Sequence, residues 1–537
     1  TDEEGKHLRE RWDTQNEELA ELMEKSGIEG IDLEFWSPTP YFKASNSYIV
    51  NQEINTLKCF DTSWEYYGDE AKTREFLEDF ANTIVEDIAY LRNEGLNITQ
   101  FGIQNEPSYA STAYSHCYYS PEMYCKTAEV LYPIIKAAYP DMHIHADSLS
   151  GQNGEIGVAL RNNPELLEYI DAWTYHSIGF DSNDQIDRAY YYNSNKGRDD
   201  IVVYNNEFEY LDNYTNDRRC INTAQSIMNW MTFENSPTWH WLHALKPIGN
   251  AEAGGYSLGF WRKPGDTSGA DAYAHIKEGD WDYNYQNWNS IRGFLKYMDW
   301  NSVRYAVEED TVRYDQRIMA WKTPDGKLVI ALTNRSEEDS FQFNINTGLN
   351  ANFSGYRYTP QGVNEIELGT REGSTISPTL PPLSIEFWVQ EADETMTPAN
   401  GVEISKTLLK LNIGKESVLS AAVKPDDAAN KNVIWSSSDS TVATVDENGN
   451  VTALKEGTTT ITATAVSGNG KFKAECVVTV IGKQAGDLND DGAVNNDDVT
   501  LLRKMLVGIE QITDDADITG DGDVDICDLV KLNNLKQ

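Results

Sequence analysis

From residue 1 to about residue 300, short apolar runs alternate with longer stretches of helical period, and no other feature restricts the fold as much. The apolar runs cover 30–36, 99–105, 142–148, 170–176, 201–206 and 238–242, while helical periodicity covers 17–25, 73–92, 121–138 and 219–232. A strand followed by a helix returns to lie parallel to its predecessor, so the alternation predicts a parallel sheet. Six strands are read this way, and each ends in polar or aromatic residues. In a (β/α)8 barrel, chemistry sits at those carboxyl ends.

Two of the ends carry carboxylates, in Gln104-Asn105-Glu106-Pro107 and in Asn206-Glu207-Phe208-Glu209. Cleaving a glycosidic bond takes one carboxylic acid to protonate the leaving oxygen and a second carboxylate to attack the anomeric carbon. A pair about 5–5.5 Å apart works with retention, through a covalent glycosyl-enzyme. Strand ends on opposite sides of a barrel mouth can supply that spacing. Singly, each motif also has a plain reading, as an acid at a helix N-terminus or as edge charges.

Composition then shifts twice. Of the fourteen tryptophans all but Trp435 lie at or before Trp388, after which the chain turns Ser/Thr/Val-rich and then Asp-rich. From about 402 to 481 short alternating strands recur, such as 418–423 and 459–465, with Asp446-Glu447-Asn448-Gly449 as a hairpin turn. That pattern predicts a small β-sandwich with Trp435 in its core. In the tail, Asp487, Asn489, Asp491, Gly492, Asn495 and Asp498 match Asp517, Thr519, Asp521, Gly522, Asp525 and Asp528. Oxygen side chains at positions 1, 3, 5, 9 and 12 of a twelve-residue loop, with glycine at 6, wrap a hard cation, and calcium fits. Each loop leads into an apolar-periodic stretch, 499–507 and 529–535, which predicts one helix per loop.

The formal net charge of −42 opposes nucleic acid and anionic membranes as partners. No apolar run is long enough for a membrane span. No charged-then-apolar leader opens the chain at Thr1, so a signal peptide is expected to have been removed or to lie outside this segment. The six cysteines are scattered without a C-x-x-C pair. They read as buried small hydrophobes, with a disulfide between two of the first four left open. His143 and His145 share a strand face, and without a third ligand nearby they read as packing or hydrogen bonding.

With these motifs in view, residues 5–390 resemble glycoside hydrolase family 30. The run Phe35-Trp36-Ser37-Pro38-Thr39-Pro40-Tyr41-Phe42-Lys43 is similar to its third-strand signature, and 91–99 with the Gln-Asn-Glu-Pro run to its fourth strand. The resemblance implies a barrel with a β-rich side domain. It makes Glu106 the general acid/base and Glu207 the nucleophile, and Glu209, which has the same strand parity as Glu207, stands in reserve. It places Asn105 on the sugar 2-hydroxyl, Trp36 and Trp241 along the cleavage subsite, and Tyr175 or His176 where the nucleophile is oriented. No cofactor is implied for catalysis. Burial and the Glu207 charge are expected to keep a proton on Glu106 near neutral pH. The family's barrel has eight strands, and this chain carries counterparts of the third to the eighth alone.

The module at 402–482 resembles the bacterial immunoglobulin-like group 2 family, as a spacer, and 486–537 resembles a dockerin. The dockerin resemblance implies two calcium ions and a cohesin module of a scaffold protein as partner. Its positions 10 and 11 differ between the loops, Asn496-Asp497 against Ile526-Cys527, which leaves symmetric docking open. The expected organisation is a barrel over 1–300, a side domain over 301–391, a linker over 392–401, then the two modules. The function implied is a secreted, extracellular, cellulosomal retaining hydrolase of plant cell-wall polysaccharide, with xylan as the leading substrate. Family members also cleave β-1,6-glucan, β-1,6-galactan and glucosylceramide, and Arg262-Lys263 is one candidate for a uronic-acid substituent. A carbohydrate-binding or structural component without catalysis, and a retaining β-glycosidase of another family of the same clan, stay open.

Overall fold

A computed structural model of the 537-residue chain describes residues 5–7, 15–26, 28, 30–49, 55–109, 114–187, 192–211, 216–248, 253–266, 274–392, 396–482, 485–489 and 493–536. The chain divides into two compact units, Thr1–Pro398 with Ser467–Gly470, and Ala399–Val466 with Lys471–Gln537.

In the first unit six parallel strands stand side by side in chain order. They are β1 (Ile31–Glu34), β2 (Ile98–Gly102), β3 (His143–Leu149), β4 (Ala172–His176), β5 (Val202–Phe208) and β6 (Trp239–Trp241). Among the described residues the sheet is open at β1 and β6, which makes it a half-barrel. Parallel strands are covered on both faces, and β4 shows it, with Ala172, Trp173, Thr174, Tyr175 and His176 all buried. Helices Glu70–Asn93 and Pro121–Ala138 lay Phe80, Ile84, Ile88, Leu131 and Ile135 against Phe101, Ile144, Trp173 and Val203. Each helix starts where a side chain accepts otherwise orphaned amides: Asp69 from Ala71 and Lys72, and Ser120 from Met123 with Pro121 in the first turn. The helix Asp217–Phe233 begins on Asn216 in the same way.

Immediately beyond β6 the chain forms a small sheet. It comprises β7 (His243–Pro247), β8 (Ser257–Trp261) and β9 (Trp281–Tyr283), in that order. The side domain follows. Its main sheet, in spatial order, is β10 (Val303–Tyr305), β11 (Gln316–Lys322), β12 (Leu328–Asn334), β17 (Ser384–Gln390), β14 (Ile345–Tyr358) and β15 (Ile366–Ile376). A two-stranded ribbon, β13 (Phe341–Gln342) with β16 (Thr379–Leu380), accompanies it.

Alternation along β11 feeds two cores: Met319 and Trp321 face one, Ile318 and Ala320 the other. The first core receives Ile221, Ala224 and Met228 from helix Asp217–Phe233, and Ile291 and Phe294 from helix Tyr285–Tyr297. Gly293 lets that last helix lie directly on Phe387, because any side chain there would collide with the ring. Arg335, just past β12 and 1% exposed, clasps the half-barrel to the side sheet. It donates to Asp181 (2.9 Å), Asn183 (3.0 Å) and Asn222 (2.8 Å), and to Asp315 beside β11 (3.2 Å).

The second unit holds two cores. In the first, a four-stranded and a three-stranded sheet enclose Leu419, Val451, Ile461, Cys476 and Val478, with Trp435 packed against them. The predicted strand 418–423 is divided: Glu416–Val418 belongs to one sheet, and Ala421–Lys424 pairs with Gly401–Ile404. Asp446–Gly449 is a turn, with Gly449 at φ +81° donating to Asp446 O at 3.0 Å. In the second, helices Asn496–Leu506 and Ile526–Leu535 pack around Leu502, Met505 and Leu532. No described helix is long and apolar enough to cross a membrane. The six cysteines are free thiols, five of them at least partly buried and Cys527 exposed.

Candidate active site

The carboxyl ends of β2, β4 and β5 converge. Glu106 follows β2 on a left-handed backbone, φ +48°, a conformation that costs a non-glycine residue about 1 kcal/mol or more. Its amide donates to Ser148 O (3.2 Å), and His116 Nε2 donates to its carbonyl (3.1 Å). Its carboxylate accepts from Tyr114 OH at 2.6 Å and from His176 Nδ1 at 2.9 Å.

The other nitrogen of the same ring, Nε2, lies 3.6 Å from Glu207 Oε2 and makes no hydrogen bond. One buried imidazole thus stands between the two carboxylates. A β-bulge produces this alignment. Tyr175 is level with Asn205, but the next residue of β4, His176, is level with Glu207, so Asn206 is the extra residue. Asn206 turns aside to donate to Ser148 Oγ at 2.6 Å. Without the bulge, Asn206 would face His176.

Burial raises the Glu207 carboxyl above its ordinary range, and the Glu106 charge adds to the rise. Burial also pushes Glu106 up, but the hydrogen bonds from His176 and Tyr114 outweigh it and hold Glu106 below its ordinary value. The expectation that burial and the Glu207 charge lift Glu106 is therefore corrected: the two hydrogen bonds outweigh burial and hold it low. Burial disfavours charge on His176, yet the Glu106 bond and both carboxylate charges raise it overall.

Trp36 is 40% exposed, its ring 5.3 Å from that of Tyr114, which brings it beside Glu106. Trp241 ends β6 level with Phe208 and donates to Tyr256 O at 2.9 Å. Asn105 is buried directly before Glu106. Tyr175 is a correction. Alternation along β4 turns it away from His176 into the core, against Tyr192 and Trp230, where its hydroxyl bonds to Gln152. Glu209 is buried and takes His243 Nδ1 at 2.6 Å, which commits it elsewhere.

Beneath the pair, His145 is buried with Nε2 3.0 Å from Asp32 Oδ2 and Nδ1 3.8 Å from Glu34 Oε1, while His143 is exposed. This is a satisfied interior histidine. Tyr114 and His116 were not anticipated from the sequence. They lie in an irregular stretch after Glu106, where no period marks an inward-facing residue.

In the tail, Asp498 and Asp528 are wholly buried and take part in no described ion pair. Asp498 accepts the amides of Leu488, Asn489 and Asn495; Asp528 accepts those of Thr519 and Asp525. Asn495 and Asp525 cap the two helices. Asp517 accepts from Gly520, Asp521 and Gly522, and from the Thr519 hydroxyl. Asp487 is buried, Asn489 and Asp521 are exposed, and Asp491 lies outside the described residues. Among the described residues no three His, Cys, Asp or Glu side chains form a metal cluster. The donors are nevertheless all hard oxygens, and Asp487, Asp498 and Asp528 among them are buried carboxylates, a donor set that suits calcium.

Comparisons with known proteins divide along the same lines. Residues 398–478 match the model of the bacterial Ig-like domain (group 2). An uncharacterized protein of Clostridium acetobutylicum is 45% identical over 82 residues, which is 15% of this chain and 8% of that protein. An alpha-L-arabinofuranosidase of Bifidobacterium longum subsp. longum is 48% identical over 92 residues, 17% of this chain and 8% of the enzyme. The chain thus spans less than a tenth of either relative. The solved catalytic domain of GH30 xylanase C from Talaromyces cellulolyticus superposes with a TM-score of 0.53 at 17% identity, covering 71% of this chain and 81% of that one. The half-barrel and side domain therefore have a GH30-like glycoside hydrolase fold, joined to a group 2 Ig-like domain.

Proposed function

We propose that this chain is a retaining glycoside hydrolase that cleaves β-glycosidic bonds of a plant cell-wall polysaccharide, with xylan the first candidate. The observation that carries the reading is the His176 imidazole set between Glu106 and Glu207. Glu207 attacks the anomeric carbon while Glu106 gives its proton to the leaving oxygen. Water then displaces Glu207, losing a proton to Glu106, and both carboxyls return to their starting state. His176 holds the two in register, and Trp36 and Trp241 offer ring faces to the sugar. The test is incubation with a panel of plant polysaccharides and chromatography of the products. Oligosaccharides released from one polymer support the reading. A second reading, a carbohydrate-binding component without turnover, is favoured by the sheet being open at β1 and β6. It predicts binding with no products.

The pH profile offers a separate check. Glu106 must be protonated to act as the acid, and it is held low, so activity is expected to peak on the acid side of neutrality. His176 lowers both carboxyls. His176→Asn should therefore move both limbs of the kcat/KM profile to higher pH, and a downward move would contradict the assignment.

We further propose that the tail is a dockerin that binds two calcium ions and a cohesin module of a scaffold, which implies an extracellular setting. Asp487, Asn489, Asn495 and Asp498 would hold one ion, and Asp517, Thr519, Asp521, Asp525 and Asp528 the other, with Asp491 joining the first set. When bound, calcium would neutralise these carboxylates and tie each loop to its helix. Chelation is expected to expose 485–537 to proteolysis, with protection restored by calcium and not by magnesium. Cleavage indifferent to calcium would contradict the proposal. The exposed Ile526, Cys527 and Val530 are candidates for the cohesin-facing surface.

A further inference from the structure

The small sheet beyond β6 has one face turned inward. Phe260 packs with Ile248 and Ile276, and Leu258 joins the core between the helices and the side sheet. Alternation puts the neighbouring residues on the opposite face. There Leu245 is level with Gly259, Pro247 with Trp261, Trp261 with Trp281, and Gly259 with Tyr283. Leu245 is 47% and Trp281 52% exposed, and Pro247 is exposed as well. An apolar face of this kind on a three-stranded sheet invites a ligand. Gly259 keeps its middle flat, since a Cβ there would come within 2.8 Å of Leu245 Cδ2. The rings are fixed: Tyr283 stacks on Trp288 at 4.7 Å and meets Trp281 edge-on at 4.9 Å.

We propose that this face is a platform for the polysaccharide chain beyond the point of cleavage. The inference rests on the glycoside hydrolase reading and adds a binding surface to it. Sugar rings have an apolar face of C–H groups that lies on an aromatic ring while their hydroxyls stay in water at its edge, which is what Trp261 and Trp281 offer. Continuity with the carboxylate pair selects this occupant. β7 starts two residues after Trp241, and its first residue, His243, bonds Glu209, two residues beyond Glu207. A polymer lying across Glu106 and Glu207 has to leave over an adjoining surface, and this sheet adjoins them.

The test uses the full chain carrying Glu207→Gln, which keeps the polymer intact, in native gels with and without soluble glucuronoxylan. Adding Trp281→Ala is expected to weaken retardation roughly tenfold, the loss of one stacked ring, and Trp281→Phe to preserve most of it. Retardation equal for Ala and Phe would overturn the platform. So would absence of retardation in every variant while the unmodified chain still releases products; the hydrolase reading would then stand alone. Neither binding nor products would overturn both. If Trp281→Ala instead changes the oligomeric state in polymer-free gels and leaves retardation unchanged, the face is an interface between copies, and the platform falls.

Discussion

Glu207→Gln is expected to lower polysaccharide hydrolysis by about a thousandfold or more while leaving the fold intact, because an amide cannot form the glycosyl ester. Glu106→Gln should fail differently. A sugar leaving group needs a proton, so polymer cleavage should fall by about 10²–10⁴. An aryl glycoside with an acidic phenol needs none, and its first step should be nearly spared. Initial rates on both substrate types separate the two roles. Equal losses on both substrates for the Glu106 variant would contradict its role as acid. The left-handed backbone at Glu106 sharpens the expectation, since strain of that kind persists only where the surroundings fix the residue.

The largest effect on stability is expected at Arg335. Its guanidinium is buried and shared among Asp181, Ser182, Asn183, Asn222 and Asp315, which come from the stretch after β4, a helix, and the approach to β11. Removing it takes a donor from buried Asn222 and Ser182, while Asp181 and Asp315 stay open to water, a loss of about 1–3 kcal/mol. Arg335→Lys should recover only part, since an ammonium cannot reproduce the planar fork. Denaturant unfolding followed by tryptophan fluorescence reads this unit directly, because all tryptophans but Trp435 precede residue 389. A shift under about 1 kcal/mol, the size of an exposed ion pair, would mean that the clasp is not structural.

The half-barrel was legible because short apolar-rich runs alternate with stretches of helical period. The runs read at 170–176 and 201–206 fall on β4 and β5, and a capped helix such as Pro121–Ala138 announces both its ends. What stayed hidden were departures from period. The extra residue Asn206 cannot be found by counting alternation, and it decides that His176, rather than Tyr175, meets the carboxylates. Tyr114 depends on the path of an irregular stretch. β7–β9 escaped because each strand is at most five residues long and mixes glycine, proline and charge with its apolar residues. In the tail the duplicated acidic spacing is plain, yet the same acids also cap helices and close turns, so spacing alone does not separate the two uses.

The most direct measurement is to trap the intermediate. An aryl glycoside of the sugar identified by the panel, fluorinated beside the anomeric carbon, forms the glycosyl-enzyme faster than water can release it, because the good leaving group speeds only the first step. Peptide mass spectrometry is expected to place the sugar on Glu207 and to find none in Glu207→Gln. Label on Glu209, or turnover of the native polymer with inverted configuration and no label, would contradict the account.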